Sequence, residues 1–303
     1  MVVVCSTVIT PMDECDSHHP FSRSFQAQGA IGGNGNATTN TRHITLSQTF
    51  ENEFLESGFL VAKAHQPDQI EQIKGIIFDK AREILDVDSS NAESFFDNFH
   101  RNGLNDSDLN DFRVRLISEF NSAPNVCEII FEAFKDTLFS LVGPDAVVQK
   151  SVNIVIQQPG DTSVSPAHRD APPNSLYEVV VWLPLTKCYG TKGMSILDRP
   201  ASSLANEMLE KEPPAYEDFK KLAAAKGTPL EMDFGEALFF WTGLYHYIPV
   251  NAESETRWSL NLRFKNTFSP YGRKGIPDYF RIVSSSPLSK LAIGQAKKSD
   301  LPT

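Results

Sequence analysis

Two of the seven histidines, His168 and His246, fall in the strand-patterned second half of the chain. His168 opens the tripeptide His168-Arg169-Asp170. In an extended segment, residues two apart project to the same side, so His168 and Asp170 can converge on one ion while Arg169 points away. His246 comes much later, inside Tyr245-His246-Tyr247 at the edge of another expected strand. Two imidazoles and one carboxylate on one face of an octahedron describe a non-haem Fe(II) facial triad, which leaves positions open for substrate and O2. A His-x-Asp alone arises often by chance. The strand expected after His246 raises its weight: over Thr256–Phe264, Arg257, Ser259, Asn261 and Arg263 share one face, and Trp258, Leu260, Leu262 and Phe264 share the other. An arginine and a serine on one face suit a planar carboxylate, which a guanidinium grips with two parallel hydrogen bonds. The competing expectation is a solvated face packed only on its apolar side.

These residues need a scaffold, and the hydrophobic periodicity supplies one. Residues from Phe50 read as a short helix, a break at Gly58 and a strand. A helix comes next over Pro67–Asp86, with Ile70, Ile73, Ile76, Ile77 and Ile84 in one stripe and Asp68 and Glu71 complementing its dipole. Two more helical patterns cover 107–120 and 124–142. At Pro144 the period changes from 3.6 to 2. Strands are expected at 151–158, 177–186, 194–197, 229–241 broken at Gly235, 245–250 and 256–265. A Lys- and Glu-rich helical insertion at 202–226 reads as an exposed flap or cover. Helices followed by short antiparallel strands indicate an α+β chain, a barrel or jelly roll backed by helices.

Composition narrows the classes. The chain has 303 residues, 28 Lys and Arg against 38 Asp and Glu, and a formal net charge of −10. That charge disfavours nucleic acid and anionic membranes as partners, and no run of about 18 apolar residues proposes a membrane span. Four cysteines (Cys5, Cys15, Cys127, Cys188) lack CxxC spacing, so a reducing, cytoplasmic setting is the simplest expectation. Residues 1–44, rich in Gly, Asn and Thr, read as a mobile tail before a single domain over 45–303 (helices about 50–143, β core about 144–270). The tail's His18-His19 pair and its Asn36-Ala37-Thr38 sequon are expected to carry no function.

The order HxD…H…RxS resembles the Fe(II)/2-oxoglutarate dioxygenase superfamily. Asn153-Ile-Val-Ile-Gln157, the segment beginning Tyr177-Glu-Val-Val-Val-Trp, Tyr189-Gly-Thr-Lys-Gly-Met194 and Arg257 through Lys265 are similar to its phytanoyl-hydroxylase-like branch, first noticed in carbohydrate gene clusters. The match covers roughly residues 50–275. Within that branch the chain looks most like the kainoid synthases of marine natural-product pathways.

The resemblance implies a double-stranded β-helix (a cupin-like jelly roll) with supporting N-terminal helices. It implies Fe(II) held by His168, Asp170 and His246, and 2-oxoglutarate held at its distal carboxylate by Arg257 with Ser259. It adds Lys192 and Asn153 on the co-substrate side and Gln157 and Tyr189 near the substrate, with structural roles for Asn153 and Gln157 left open. Gly193 stands where relatives carry serine, leaving a hydroxyl contact there open. Cys188 is expected to be packed, not catalytic. A kainoid synthase would abstract a hydrogen from an N-prenylated glutamate and close a pyrrolidine ring, and the substrate's carboxylates would need cations such as Arg263, Lys192, Arg113 or Arg115. A small-molecule substrate is the implied partner, with no protein partner. The alternatives are a hydroxylase of a carbohydrate, lipid or amino acid, and a non-catalytic cupin-like metal or sugar binder.

Overall fold

Local signals set where the elements begin and end. In the computed structural model, residues 46–162, 165–172 and 174–295 are described. The expected tail, with His18, His19, Asn36, Cys5 and Cys15, lies outside the described residues. Helix α1 (Leu46–Ser57) ends at Gly58, whose φ of 83° turns the chain into strand β1 (Phe59–Lys63). Helix α2 (Pro67–Leu85) starts with proline in its first turn and buries Ile70, Ile73 and Ile77 completely, while Ile76 and Ile84 sit at the margin of the stripe. Helix α3 (Ala92–Asp97) is capped by Asn91 and α4 (Asp106–Ser122) by Asn105, each accepting from backbone amides of the first turn. The stretch expected as one helix over 124–142 is two, α5 (Val126–Ala133) and α6 (Lys135–Val142). They are separated at Phe134, whose φ of −123° leaves the helical region.

The strands form two antiparallel sheets. Strands β2 (Ala146–Gln149), β3 (Asn153–Gln157), β5 (Glu178–Pro184), β8 (Glu236–Trp241), β10 (Arg257–Asn266) and β11 (Phe280–Ser284) join β1 in a seven-stranded sheet of order β1-β8-β5-β10-β2-β11, with β3 also paired to β10. Strand β10 is long enough to take β3 along its first half and β2 along its second. The second sheet has the order β4 (Ser165–His168), β9 (His246–Ile248), β6 (Ser195–Ile196) and β7 (Thr228–Pro229). Strands β2, β4 and β11, the helix α3 and a C-terminal helix α9 (Pro287–Gln295) were not expected from the periodicity. Nor does the expected strand over 229–241 survive whole, because residues 230–235 lie between β7 and β8.

The faces are sorted by side chain. Val179, Val181, Leu183, Trp258, Leu260, Leu262 and Phe264 face the helices and join Ile73, Phe96, Phe120 and Phe131 in the main core. Val180, Trp182, Leu238 and Phe240 point the other way and pack with Ile196 from the smaller sheet and with Met194 just before that strand. The alternation read along β10 therefore divides a helical core from an interior between the two sheets. Trp258 anchors the outer side: it donates to the Phe96 carbonyl at 3.1 Å and meets the rings of Phe96 and Phe99 at 5.0 and 4.8 Å. The insertion is a helix pair, α7 (Arg199–Leu209) and α8 (Tyr216–Lys226). It is less a flap than a buttress, since Ala201, Ala205, Phe219 and Ala223 pack on Leu197 and Tyr245 beside His246.

Candidate metal and co-substrate site

The pairing of β4 with β9 sets His168 directly opposite His246, and their rings lie 4.4 Å apart. Asp170 comes just after β4, its backbone held where Asn174 donates to its carbonyl and where Ala171 donates to the Thr242 carbonyl. One ligand atom from each of His168, Asp170 and His246 lies within 4.8 Å of the others. The imidazoles are oriented for ligation. The Nδ1 of His168 is 2.7 Å from the Pro166 carbonyl and that of His246 is 3.2 Å from the Leu244 carbonyl. A carbonyl only accepts, so each Nδ1 carries the proton and each Nε2 keeps a lone pair for a metal.

Burial pushes the His246 imidazole down to about 4, against the pull of Asp170. It is therefore neutral, as a ligand must be, at ordinary pH. Burial alone would raise the Asp170 carboxyl, but the Arg263 guanidinium, with His246 and His168, holds it below the usual carboxylate range. His246 also sets a pH dependence for the metal-free protein. Its folded pKa lies below the unfolded value of about 6.5, so the unfolded chain takes up the proton first as pH falls. Stability should be full above pH 6.5 and drop by about 3 kcal/mol between there and pH 4. Denaturant melts across that window should show a steeper loss for the parent than for His246→Phe; equal slopes would contradict the burial.

Across the interior, Arg257 is fully buried on β10, with its guanidinium 5.8 Å from the Trp182 ring. Its Nη1 reaches the Gly193 carbonyl only at 3.5 Å, while Nε and Nη2 have no partner among the described residues. Burial lowers its pKa to about 10, against weak attraction from Cys188 and Asp161, so it remains a cation at neutral pH. The neighbouring Ser259 hydroxyl is likewise buried and unpartnered. This face is not solvated: two polar groups are sealed in without acceptors, which is costly unless a ligand supplies them. Gln157 stands opposite Arg257 in register; its amide donates to the Pro249 carbonyl at 2.7 Å and its carbonyl oxygen is unpartnered.

Other expected residues are placed differently. Lys192 is buried, but its ammonium is taken by Glu255 at 2.7 Å and Asp97 at 3.3 Å, so it offers no free charge to 2-oxoglutarate. Tyr189 donates to the same Glu255 carboxylate. Asn153 is exposed at the start of β3. Arg263, expected as a substrate cation, is bound instead to Asp170 at 2.7 Å. Arg113 on α4 is partly buried with an unpartnered Nε, whereas Arg115 is exposed. Cys188 is packed as expected, and burial raises its thiol pKa to about 11. Sequence reasoning missed Phe240, whose ring lies 4.9 Å from His246. Its place on the inner face of β8, alternating with Phe239, was the available signal.

Gly193 also has a physical reason. A Cβ there would lie 2.4 Å from the Leu230 carbonyl oxygen, a backbone atom that cannot swing aside. Gly193→Ser should therefore cost about 1–3 kcal/mol, read as a lowered thermal midpoint. An unchanged midpoint would show that this approach is not close.

No protein-family model matches the chain, and no curated protein matches it. Solved structures do share its fold. The non-heme monooxygenase ThoJ, as a nickel complex, is 17% identical, covering 78% of this chain and 84% of that one with a TM-score of 0.52. The non-heme alpha-ketoglutarate-dependent carbocyclase SnoK from nogalamycin biosynthesis is 14% identical, covering 80% and 92% with a TM-score of 0.51. At these identities the likeness establishes the architecture, which is one found among non-heme oxygenases. No helix among the described residues is long and apolar enough to cross a membrane.

Proposed function

We propose that this chain is an Fe(II)- and 2-oxoglutarate-dependent oxygenase of a small molecule, its two facing sheets forming a double-stranded β-helix. The observation that carries the reading is the buried Arg257 guanidinium, with two donors unpartnered, in the same interior as the His168–Asp170–His246 cluster. The residues fit the groups: two neutral imidazoles and an anionic carboxylate suit Fe(II), and an unpaired guanidinium beside a free hydroxyl suits the distal carboxylate of a keto acid. When bound, iron and 2-oxoglutarate supply O2-dependent abstraction of a hydrogen atom from a C–H bond, with succinate and CO2 as co-products.

The chain's own work is placement. His168 and His246 present Nε2, Asp170 presents a carboxylate oxygen, and Arg257 with Ser259 fixes the far end of the co-substrate. Phe240 and Trp182 keep water from the walls between them. The finer reading is oxidative cyclisation of an N-prenylated glutamate to a kainoid ring. Of the cations considered for the substrate's carboxylates, Arg113 and Arg263 each keep a buried Nε without a hydrogen-bond partner among the described residues, but Arg263 is paired with Asp170, so Arg113 is the one we assign. A hydroxylase of a carbohydrate, lipid or amino acid is the second reading, supported by the same site.

The test is anaerobic loading with Fe(II) and 2-oxoglutarate, then O2 with candidate substrates. Succinate formation coupled to substrate is expected. A product lacking two hydrogens marks cyclisation and one gaining oxygen marks hydroxylation. Absence of both 2-oxoglutarate binding and succinate would leave a non-catalytic binder as the better reading.

A further inference from the structure

Arg257 and Arg263 stand on the same face of β10, yet their donors meet opposite ends. The Nε and Nη2 donors of Arg257 are left open. At Arg263 the two terminal nitrogens are taken by the protein: Nη2 donates to Asp170 Oδ2 at 2.7 Å, and Nη1 donates to Gln149 Oε1 and to the Tyr279 hydroxyl oxygen at 3.2 Å each, while Nε has no hydrogen-bond partner among the described residues. Its Nε lies 3.8 Å from the buried Glu178 carboxylate. Gln149 comes from β2, Tyr279 from the turn before β11 and Glu178 from β5, so three separate elements brace this one guanidinium. Its side chain is 18% exposed and that of Asp170 is 15% exposed, which limits exchange of the contact with water.

The chemistry of a carboxylate gives this bracing a meaning. A carboxylate can engage a cation through one oxygen or through both, and the second mode occupies two coordination positions with one side chain. A facial triad has only three positions left for co-substrate and O2. A charge-assisted hydrogen bond to one oxygen, held short by a planar donor, restrains that oxygen from turning onto the metal. We propose that Arg263 is a positioning residue that confines Asp170 to single-oxygen ligation and so keeps a coordination position open. This rests on the metal reading of His168, Asp170 and His246.

The experiment uses Co(II) as the probe, titrated anaerobically into the full-length protein, with visible absorbance reporting both affinity and the coordination shell. Arg263→Met is expected to weaken Co(II) binding about ten- to a hundredfold, the usual effect of removing a hydrogen-bond partner of a metal ligand. Its cobalt spectrum should shift from the parent's, because a second carboxylate oxygen replaces a water in the coordination shell. Arg263→Lys, which keeps a charge and a donor, should recover part of both. Tyr279→Phe removes one hydroxyl from the brace and should move affinity and spectrum in the same direction by a smaller amount.

A purely structural arginine would lower the melting temperature and leave the affinity and spectrum of the bound cobalt unchanged, and that result overturns the proposal. Should Arg263→Met fail to fold, Tyr279→Phe decides alone, and parent-like cobalt binding in it is equally fatal. If the parent itself binds no Co(II), the metal site falls and this inference falls with it. If the parent binds and the variants match it, only the role of Arg263 falls.

Discussion

Replacing Arg257 by methionine is expected to raise the melting temperature of the ligand-free protein while abolishing its response to 2-oxoglutarate. The two effects have one cause. A guanidinium sealed in the interior with Nε and Nη2 unpartnered is a desolvated charge without compensation. Replacing such a group by an apolar side chain of similar length is often neutral or stabilising, by about 1–4 kcal/mol. For a chain of this size that is roughly 2–4 °C per kcal/mol. The parent should gain stability on adding 2-oxoglutarate, because a ligand that binds only the folded state stabilises it; the variant should not. Arg257→Lys keeps the charge and loses the fork, so the KM for 2-oxoglutarate should rise roughly ten- to a hundredfold, as about 1.5–3 kcal/mol of bidentate contact predicts. The KM for the other substrate should move less. An unchanged 2-oxoglutarate KM in the lysine variant would refute the assignment, and so would a methionine variant that melts well below the parent and still binds the keto acid.

Asp170→Asn should reduce turnover by about a thousandfold or more, a loss of at least ~4 kcal/mol of transition-state stabilisation. Asparagine is the informative replacement. It removes the anionic ligand yet leaves an oxygen that accepts from Arg263, so the brace around that arginine survives. Alanine would strip Arg263 of its 2.7 Å partner and leave only Glu178, at 3.8 Å; removing one partner of a buried pair costs about 3–5 kcal/mol, less here because the pair is partly exposed and Glu178 remains. Asp170→Ala should thus lose stability as well as activity, and Asp170→Asn mainly activity. Comparing the two melts with the two rates separates ligation from folding. Near-parental turnover in Asp170→Asn would remove Asp170 from the metal site.

The site was more legible than the framework that builds it, and the reason is range. His168, Asp170 and the inner face of β10 follow from period-two alternation and side-chain chemistry, both local. Strand β4 did not show because four residues, one of them Pro166, carry no apolar alternation; its pairing with β9 makes it a strand. The break at Phe134 was hidden inside an unbroken apolar stripe. Arg263 was on the right face, but its partner depends on Gln149 and Tyr279 arriving from distant segments. The capture of Lys192 by Asp97 depends on helix α3, which the periodicity did not reveal. Local pattern reported which way a residue faces and was silent on what it meets there.

Strand β10 has a consequence for how this protein can change over descent. It carries Arg257 and Arg263 on one face of a single unbroken strand, so the span between the two grips is set by backbone rise, about 3.3 Å per residue. A residue gained or lost between them would turn one arginine to the outer core, since slippage by one inverts every side chain beyond it. That stretch can accept substitutions but not insertions. The α7–α8 hairpin bears on the same site through Tyr245 without belonging to either sheet's register. Its connecting loop can lengthen or shorten while the arginines keep their spacing.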